Sequence, residues 1–490
     1  MAWSNTLATG NELKKNLAYN VAYQVLAIVL PLVTAPYVSR VLGAEGLGTY
    51  SYTYSIAYYF GLVGMLGVTN HGSRSIALVK GDKEKVSQAF SNIYAVQLAS
   101  TFLALVVYLL FILTLFNGVK LIAVIDALFV LSYLLDINWL FFGIEQFKIT
   151  VTRNTIIKVV TAVCIFLFVK TRTDLWLYTM IMASGTLLSQ LYLWVSVRKF
   201  IDFRRPQLPK VLKNVKPILV LFIPAIAYSI YKILDKIMLG SMSDMTQVGL
   251  FNSAEQIINI PMSLITAFGT VMLPRISNLL VFNDKDTIEK YNTLSFKYFS
   301  IIVFASTFGL MGICAVLAPV YFGSEFVGSS PLIGGLSVSL IFMVWANIIR
   351  TQYLIPRQMD RPYVISTIVG ALFNVVLNYV LIPGMSAFGS MLATVVAEFS
   401  VFFVQYCFVR DELNVFNMLR GGLPFFPLGV FMGLCVWGVG LQLGSSVHTL
   451  LVQLLVGAIF YLFGSIVILA VQKDSLFLSV SKRLSAFHSH

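Results

Sequence analysis

Apolar runs of about 20 residues, separated by short charged or Gly/Pro-rich gaps, recur along the whole chain. A helix rises 1.5 Å per residue, so a run of this length crosses the ~30 Å hydrocarbon core of a bilayer. The pattern predicts an all-α polytopic membrane protein with about fourteen transmembrane helices. Six spans fall at 17–38, 49–70, 86–115, 121–142, 152–169 and 175–197. After a basic stretch at 198–216, six more fall at 217–239, 248–273, 296–318, 332–349, 363–382 and 388–408. Two last spans lie at 423–443 and 450–471. A polar, charged connector is expected at 275–290. No connector is long enough to be a soluble domain.

Composition supports the same class. Of 490 residues, 58% are hydrophobic and 11% charged, with a mean hydropathy of +0.84. A soluble domain carries about 25% charged residues, so this chain cannot cover a water-facing surface of its own size. The polar opening at 1–15 shows no small-residue cleavage site. The first apolar run is too long for a signal-peptide core and is expected to remain as a span.

The net charge of +13 does not point to nucleic acid, because the charges collect in every second gap. An even number of spans puts both termini on one side. With that side cytoplasmic, roughly 28 of the 34 Lys and Arg fall there and roughly 6 on the other side, the asymmetry expected of inward-positive loops. The four cysteines lie inside apolar runs, without a CxxC or Cys/His spacing, and read as hydrophobes.

A turn recurs. Val41-Leu42-Gly43 followed by Gly46-Leu47-Gly48-Thr49-Tyr50-Ser51 is echoed by Met238-Leu239-Gly240 followed by Val248-Gly249-Leu250-Phe251-Asn252-Ser253. Both sit at an outer turn, six spans apart. Two six-helix lobes related by an axis along the membrane normal are a common transporter plan. The expected organisation is a first lobe at 1–197, a basic cytoplasmic linker at 198–216 and a second lobe at 217–410. Two extra helices with a cytoplasmic tail complete it at 411–490.

Charges inside spans are costly and mark functional candidates. Lys232, Asp235 and Lys236 share one face of the seventh span, spaced three and four apart. Two ammonium groups and one carboxylate suit an anionic group, with Asp235 balancing part of the charge; the same side chains could instead reach out to the head groups. Arg40 would hold the matching place in the other lobe. Glu255, Glu398, Asp126 and Asp136 are intramembrane carboxylates, candidates for charge balance or for ion coupling. Tyr54 and Tyr58 share a face with Tyr50. Aromatic faces can stack on sugar rings, although they also form interfacial belts. Metalloprotease, Walker A, nucleophile-elbow and dinucleotide-binding motifs are missing, which argues against an enzyme or an ATP-driven pump. No metal site or cofactor is expected.

Several segments resemble the polysaccharide biosynthesis flippases. These are the Wzx-type O-antigen and capsule repeat-unit transporters of the multidrug/oligosaccharidyl-lipid/polysaccharide superfamily. The matching residues are Lys15-Asn16, Leu30-Pro31-Leu32, Pro36-Tyr37-Val38-Ser39-Arg40-Val41-Leu42-Gly43 and Gly46-Leu47-Gly48-Thr49-Tyr50-Ser51. Gly67-Val68-Thr69-Asn70, Gly72-Ser73-Arg74, Asp136-Ile137-Asn138-Trp139 and Gly143-Ile144-Glu145 add to them. Tyr321-Phe322-Gly323-Ser324-Glu325-Phe326 and Gln352-Tyr353-Leu354-Ile355-Pro356 also fit. The resemblance extends to about residue 410; the last two spans match by hydropathy alone.

The resemblance implies a two-lobed, MATE-like core around a central, often cationic cavity. It implies alternating access and a polyprenyl-diphosphate-linked oligosaccharide as cargo, carried from the cytoplasmic to the outer leaflet of a bacterial plasma membrane. Membrane lipids and a polysaccharide polymerase are the implied partners. Moving one negative charge outward is favoured by ~2.3 kcal/mol per 100 mV of inside-negative potential; coupling to a proton or a sodium ion stays open. A cation-coupled drug exporter of the same fold would want carboxylates to dominate the cavity. A membrane glycosyltransferase or polymerase would want a long outer loop and an acidic pair.

Overall fold

A computed structural model of the chain describes residues 10–474, 477 and 478 apart from 283, with residues 10–28 described in their backbone only. The start of the polar opening and the C-terminal tail beyond 478 lie outside the described residues. Among those described, the structure holds fifteen α-helices and no strand. They are α1 (Gly10–Met65), α2 (Val68–Ala77), α3 (Lys83–Thr114), α4 (Lys120–Leu134), α5 (Asn138–Gly143), α6 (Phe147–Phe168), α7 (Leu175–Val197) and α8 (Leu208–Met242). Then come α9 (Met245–Val281), α10 (Lys285–Phe322), α11 (Ser329–Ile349), α12 (Asp360–Val409), α13 (Val415–Arg420), α14 (Phe425–Leu443) and α15 (Val447–Val471).

Ten spans among the described residues are long and apolar enough to cross a membrane, or eleven with the bent α8. The chain is therefore a multi-pass membrane protein. The eleven become the expected fourteen if α12 crosses twice and α1, outside those eleven, also crosses twice. Each of these two helices has a break at the place where the hydropathy gap lies. In α1 the break is Gly43 at φ 71°, a left-handed conformation open to glycine. In α12 it is Ser386 at φ 49°. The expected connector at 275–290 is much shorter than its charge suggested. Helix α9 runs on to Val281 and α10 starts at Lys285, because charged helix ends can continue into water as regular helix. Asp284 caps α10 by accepting from the Thr287 N–H at 3.1 Å.

The chain divides into two compact units, Met1–Gly249 and Leu250–His490. In the first, the two recurring Gly turns meet. A Cβ added to Gly48 would overlap the Met245 carbonyl oxygen, and one added to Gly249 would overlap that of Ala44. The approach is reciprocal, each glycine facing a carbonyl four residues before the other. Small residues let membrane helices cross at backbone distance in this way.

Also in this unit, α4 and α5 are separated by a break at residues 135–137, inside one membrane span. A break frees backbone carbonyls, and the hydrocarbon supplies no water to satisfy them. Side chains do so instead. Gln97 Nε2 donates to the carbonyls of Tyr133 and Asp136 at 2.9 and 2.8 Å. The Tyr94 hydroxyl donates to Leu134 O at 3.2 Å and Trp194 Nε1 to Leu135 O at 2.9 Å. Trp139 Nε1 donates to Gln97 Oε1 at 2.9 Å, which fixes the amide's orientation. Trp139 is fully buried with Phe90, Phe141 and Ile76. Gly72 leaves room for its ring, since a Cβ there would lie 2.5 Å from it. The segment Asp136-Ile137-Asn138-Trp139 and the nearby Gly72 thus hold one polar-capped break.

In the second unit, α14 packs on α10 through glycines. A Cβ on Gly312 would come within 2.6 Å of Gly433 O, and one on Gly433 within 2.7 Å of Phe308 O. Gln453 of α15 donates to Val436 O of α14 at 2.9 Å, and the Tyr461 hydroxyl to Ile301 O of α10 at 2.7 Å. The pair ends in a clasp: Asp474 binds Lys297 Nζ at 2.6 Å and the Tyr298 hydroxyl at 2.7 Å, both on α10. The last two spans, legible only as hydropathy, are thus fixed to α10 along their length.

Candidate functional site

Tyrosines spaced four apart line the second half of α1. Tyr50 stacks on Tyr54 at 5.8 Å between ring centroids, and Tyr54 lies 6.5 Å from Tyr58. Phe129 meets Tyr54 edge-on at 4.8 Å and Tyr178 meets Tyr50 at 4.9 Å. Tyr54 and Tyr58 are half-buried, so the two residues expected as one aromatic face do stand together. Tyr59 is turned to α8, where its hydroxyl donates to Ser229 O at 2.9 Å.

Ser229 lies within a break. Helix α8 bends by 60° between Ala227 and Lys232. Lys232, Asp235 and Lys236 follow directly, on the first two turns after the bend. Asp235 is buried and both lysines are half-buried. The predicted cationic face therefore starts at a discontinuity in a membrane helix. Arg40 is exposed, three residues before the Gly43 break of α1. In the second unit, Glu255 is half-buried on α9 and Glu398 is buried on α12.

Asp136 has a structural partner. Its Oδ1 accepts from the N–H and Nδ2 of Asn138 at 2.8 and 2.7 Å. Asn138 Oδ1 in turn accepts from Arg153 at 3.0 Å. Arg153 is buried at 3% exposure and also donates to Asn154 Oδ1, Ser189 O and Gln190 Oε1. Asp136 thus belongs to a network tying the α4–α5 break to α6 and α7. Asp126 is fully buried on α4, and neither of its oxygens has a hydrogen-bond partner among the described residues. The neighbouring Thr53 gives its hydroxyl to the Thr49 and Tyr50 carbonyls.

Two cations of α6, Arg153 and Lys158, were not singled out from the sequence, although both lie in a predicted span. Their signal was the one applied to α8: a charge inside an apolar run. No group of three or more His, Cys, Asp or Glu side chains among the described residues could hold a metal ion.

Residues 13–280 match the model of a family described as polysaccharide biosynthesis protein. That is more than half of the chain. The chain belongs to the polysaccharide biosynthesis protein family. The resemblance read from the segments at 36–51 and 136–145 therefore holds. Two curated proteins, each described as a putative O-antigen transporter, are similar to it. The one from Escherichia coli (strain K12) is 28% identical over 56% of this chain and 66% of its own length. The one from Shigella dysenteriae is 23% identical over 79% of this chain and 97% of its own. The chain thus spans just under two thirds of the first relative and nearly all of the second.

Among solved structures, the lipid II flippase MurJ in an inward closed conformation superposes with a TM-score of 0.74, at 15% identity, over 93% of this chain and 99% of that one. An inward-facing multidrug resistance MATE transporter gives 0.57 at 13% identity, over 79% and 98%. These likenesses establish the fold, MATE-like and all-helical. The curated relatives are described as transporters, and these two neighbours as a flippase and a multidrug transporter.

Proposed function

We propose that this protein flips a polyprenyl-diphosphate-linked oligosaccharide repeat unit from the cytoplasmic to the outer leaflet, for surface polysaccharide assembly. The observation that carries the proposal is the cationic face of α8. Lys232 and Lys236 stand half-buried directly after a bend within a membrane helix. Charges at such a depth mark substrate pathways, and two ammonium groups against the one carboxylate of Asp235 leave this face net positive, which suits a diphosphate. The half-buried row of Tyr54 and Tyr58 offers ring faces to sugars. The O-antigen transporters among the relatives support the same substrate class.

In this scheme residues 1–197 and 217–410 act as two lobes that alternate access, joined by the basic segment 198–216. Both termini are cytoplasmic, in a bacterial plasma membrane, and a polysaccharide polymerase takes up the flipped unit outside. Glu398 and Glu255 are the carboxylates assigned to coupling with a proton or a sodium ion. The test is depletion of the protein in its own cell. Lipid-linked repeat units then accumulate in the cytoplasmic leaflet and surface polymer disappears. Polymer at its normal level, with no accumulating intermediate, would refute the proposal.

A further inference from the structure

A groove of about 400 Å³ lies between α1, α6 and α7 in the first unit. Its polar lining includes Arg153, Asn154, Lys158 and Thr161 of α6 with Thr34 of α1 and Gln190 of α7. On α6 these residues recur at helical spacing, so one stripe of that helix faces the groove. Gly185 of α7 keeps the groove narrow. A Cβ there would lie 2.7 Å from Thr161 Oγ1, so a larger residue would have to displace that hydroxyl. The groove has an apolar part as well, including Ile165 and Met182.

Depth decides what this groove can receive. Lys158 is eleven residues from the start of α6 and ten from its end, so about 16 Å of helix lies on either side of it. That is the middle of a ~30 Å hydrocarbon core. Arg153, five residues nearer the first end, is buried with its donors engaged by Asn138, Asn154, Ser189 and Gln190. It contributes a fixed positive field. Lys158 is exposed, on a flexible four-carbon stem. A resident phospholipid keeps its phosphate at the membrane surface and does not reach this depth. A phosphate meets the bilayer middle only while it is being carried across.

We propose that this groove is a mid-membrane station that binds the phosphate groups of the carried polyprenyl lipid, with Lys158 as the contacting cation. Arg153 is the positioning residue, and the apolar part of the groove takes the first isoprene units. The proposal rests on the flippase function and adds a site separate from the α8 lysines.

The test uses the full chain in phosphatidylcholine nanodiscs, with Lys232→Ala and Lys236→Ala in every sample so that the α8 lysines hold no diphosphate, and with farnesyl diphosphate and farnesol as probes. Lys158→Ala is expected to weaken farnesyl diphosphate binding at least tenfold and to leave farnesol binding unchanged. Lys158→Arg is expected to stay within about threefold of the same chain with Lys158 intact, which separates charge from folding; the conversion of tenfold is 1.4 kcal/mol. Farnesyl diphosphate binding by Lys158→Ala equal to that of the chain with Lys158 intact would overturn the proposal. So would an equal loss of farnesol binding, or a loss in Lys158→Arg as large as in Lys158→Ala. Repeating the titration with phosphatidylglycerol in the discs tests the other source of phosphate. Abolition of farnesyl diphosphate binding there would assign the groove to resident lipid and overturn the proposal. If surface polymer depends on the protein while Lys158→Ala binds normally, the groove alone fails. If surface polymer does not depend on the protein, the flippase function fails with it.

Discussion

The break between α4 and α5 and the bend in α8 both interrupt helices inside the membrane, and they are finished differently. Around the first, Gln97, Tyr94 and Trp194 cap the freed carbonyls, and Asn138 ties Asp136 to the buried Arg153. Asp136 and Arg153 are thereby tied into the fold. The bend in α8 receives the Tyr59 hydroxyl on Ser229 O and leads into two half-buried lysines and a buried aspartate. A charge in a membrane helix is therefore not a functional residue by virtue of depth alone. What distinguishes the two regions is the setting of the charge: at the first a buried guanidinium is held among amides and carbonyls, and at the second two half-buried cations and one carboxylate follow each other on one helix.

The contrast can be broken from the structural side first. Arg153→Met removes the donor to Asn138, Gln190 and Ser189 and leaves the half-buried Asp136 without its cation. The expected loss is on the order of 3 kcal/mol, read as a lower unfolding temperature in detergent. Gln97→Leu strips two carbonyls and the Trp139 indole of their partner. It should cost about 2–3 kcal/mol and should redden and weaken the fluorescence of the buried tryptophan.

The clasp in the second unit gives a control away from both breaks. Burial by itself would raise the Asp474 carboxyl. Hydrogen bonds from Lys297, the Phe477 N–H and Tyr298 outweigh it and hold the group down at about 2. An unfolded Asp titrates near ~3.9. A depressed folded value means that the stabilisation is complete above that pH and is lost as pH falls towards 2. Asp474→Asn should cost about 2 kcal/mol at neutral pH and should flatten the acid limb of stability between about pH 4 and 2. An unchanged acid limb would show that the clasp is not formed. The smallest expected effect on stability is that of Lys232→Ala with Lys236→Ala, since both lysines are half-buried where Arg153 is buried. Near-normal unfolding of this double variant beside a collapsed Arg153→Met would sharpen the contrast, and comparable losses would erase it.

Much of the fold was legible because the bilayer makes hydropathy a measure of length. The span at 175–197 coincides with α7, and the gaps at Gly43 and Ser386 became the two helix breaks. The merged breaks and the long reach of α8, α9 and α10 beyond their apolar parts were not legible, since charged residues continue a helix into water as readily as they end one. Site residues were read less evenly. Tyr54 and Tyr58 could be paired from their spacing of four. Asp136 could not be told from a transport carboxylate, because its partners Asn138 and Arg153 meet it through a turn and a separate helix. Lys158 carried the same signal as Lys232, but its depth in α6 gained meaning only once α1 and α7 enclosed it.

The central claim is that the lysines after the α8 bend handle the charged end of the cargo. Its most direct test is flipping in proteoliposomes, with a short-chain polyprenyl-diphosphate oligosaccharide whose sugar is accessible to an external label only after crossing. The account predicts flipping by the natural chain and at least tenfold slower flipping by Lys232→Ala with Lys236→Ala in the same folded amount. Equal rates in the two would contradict it.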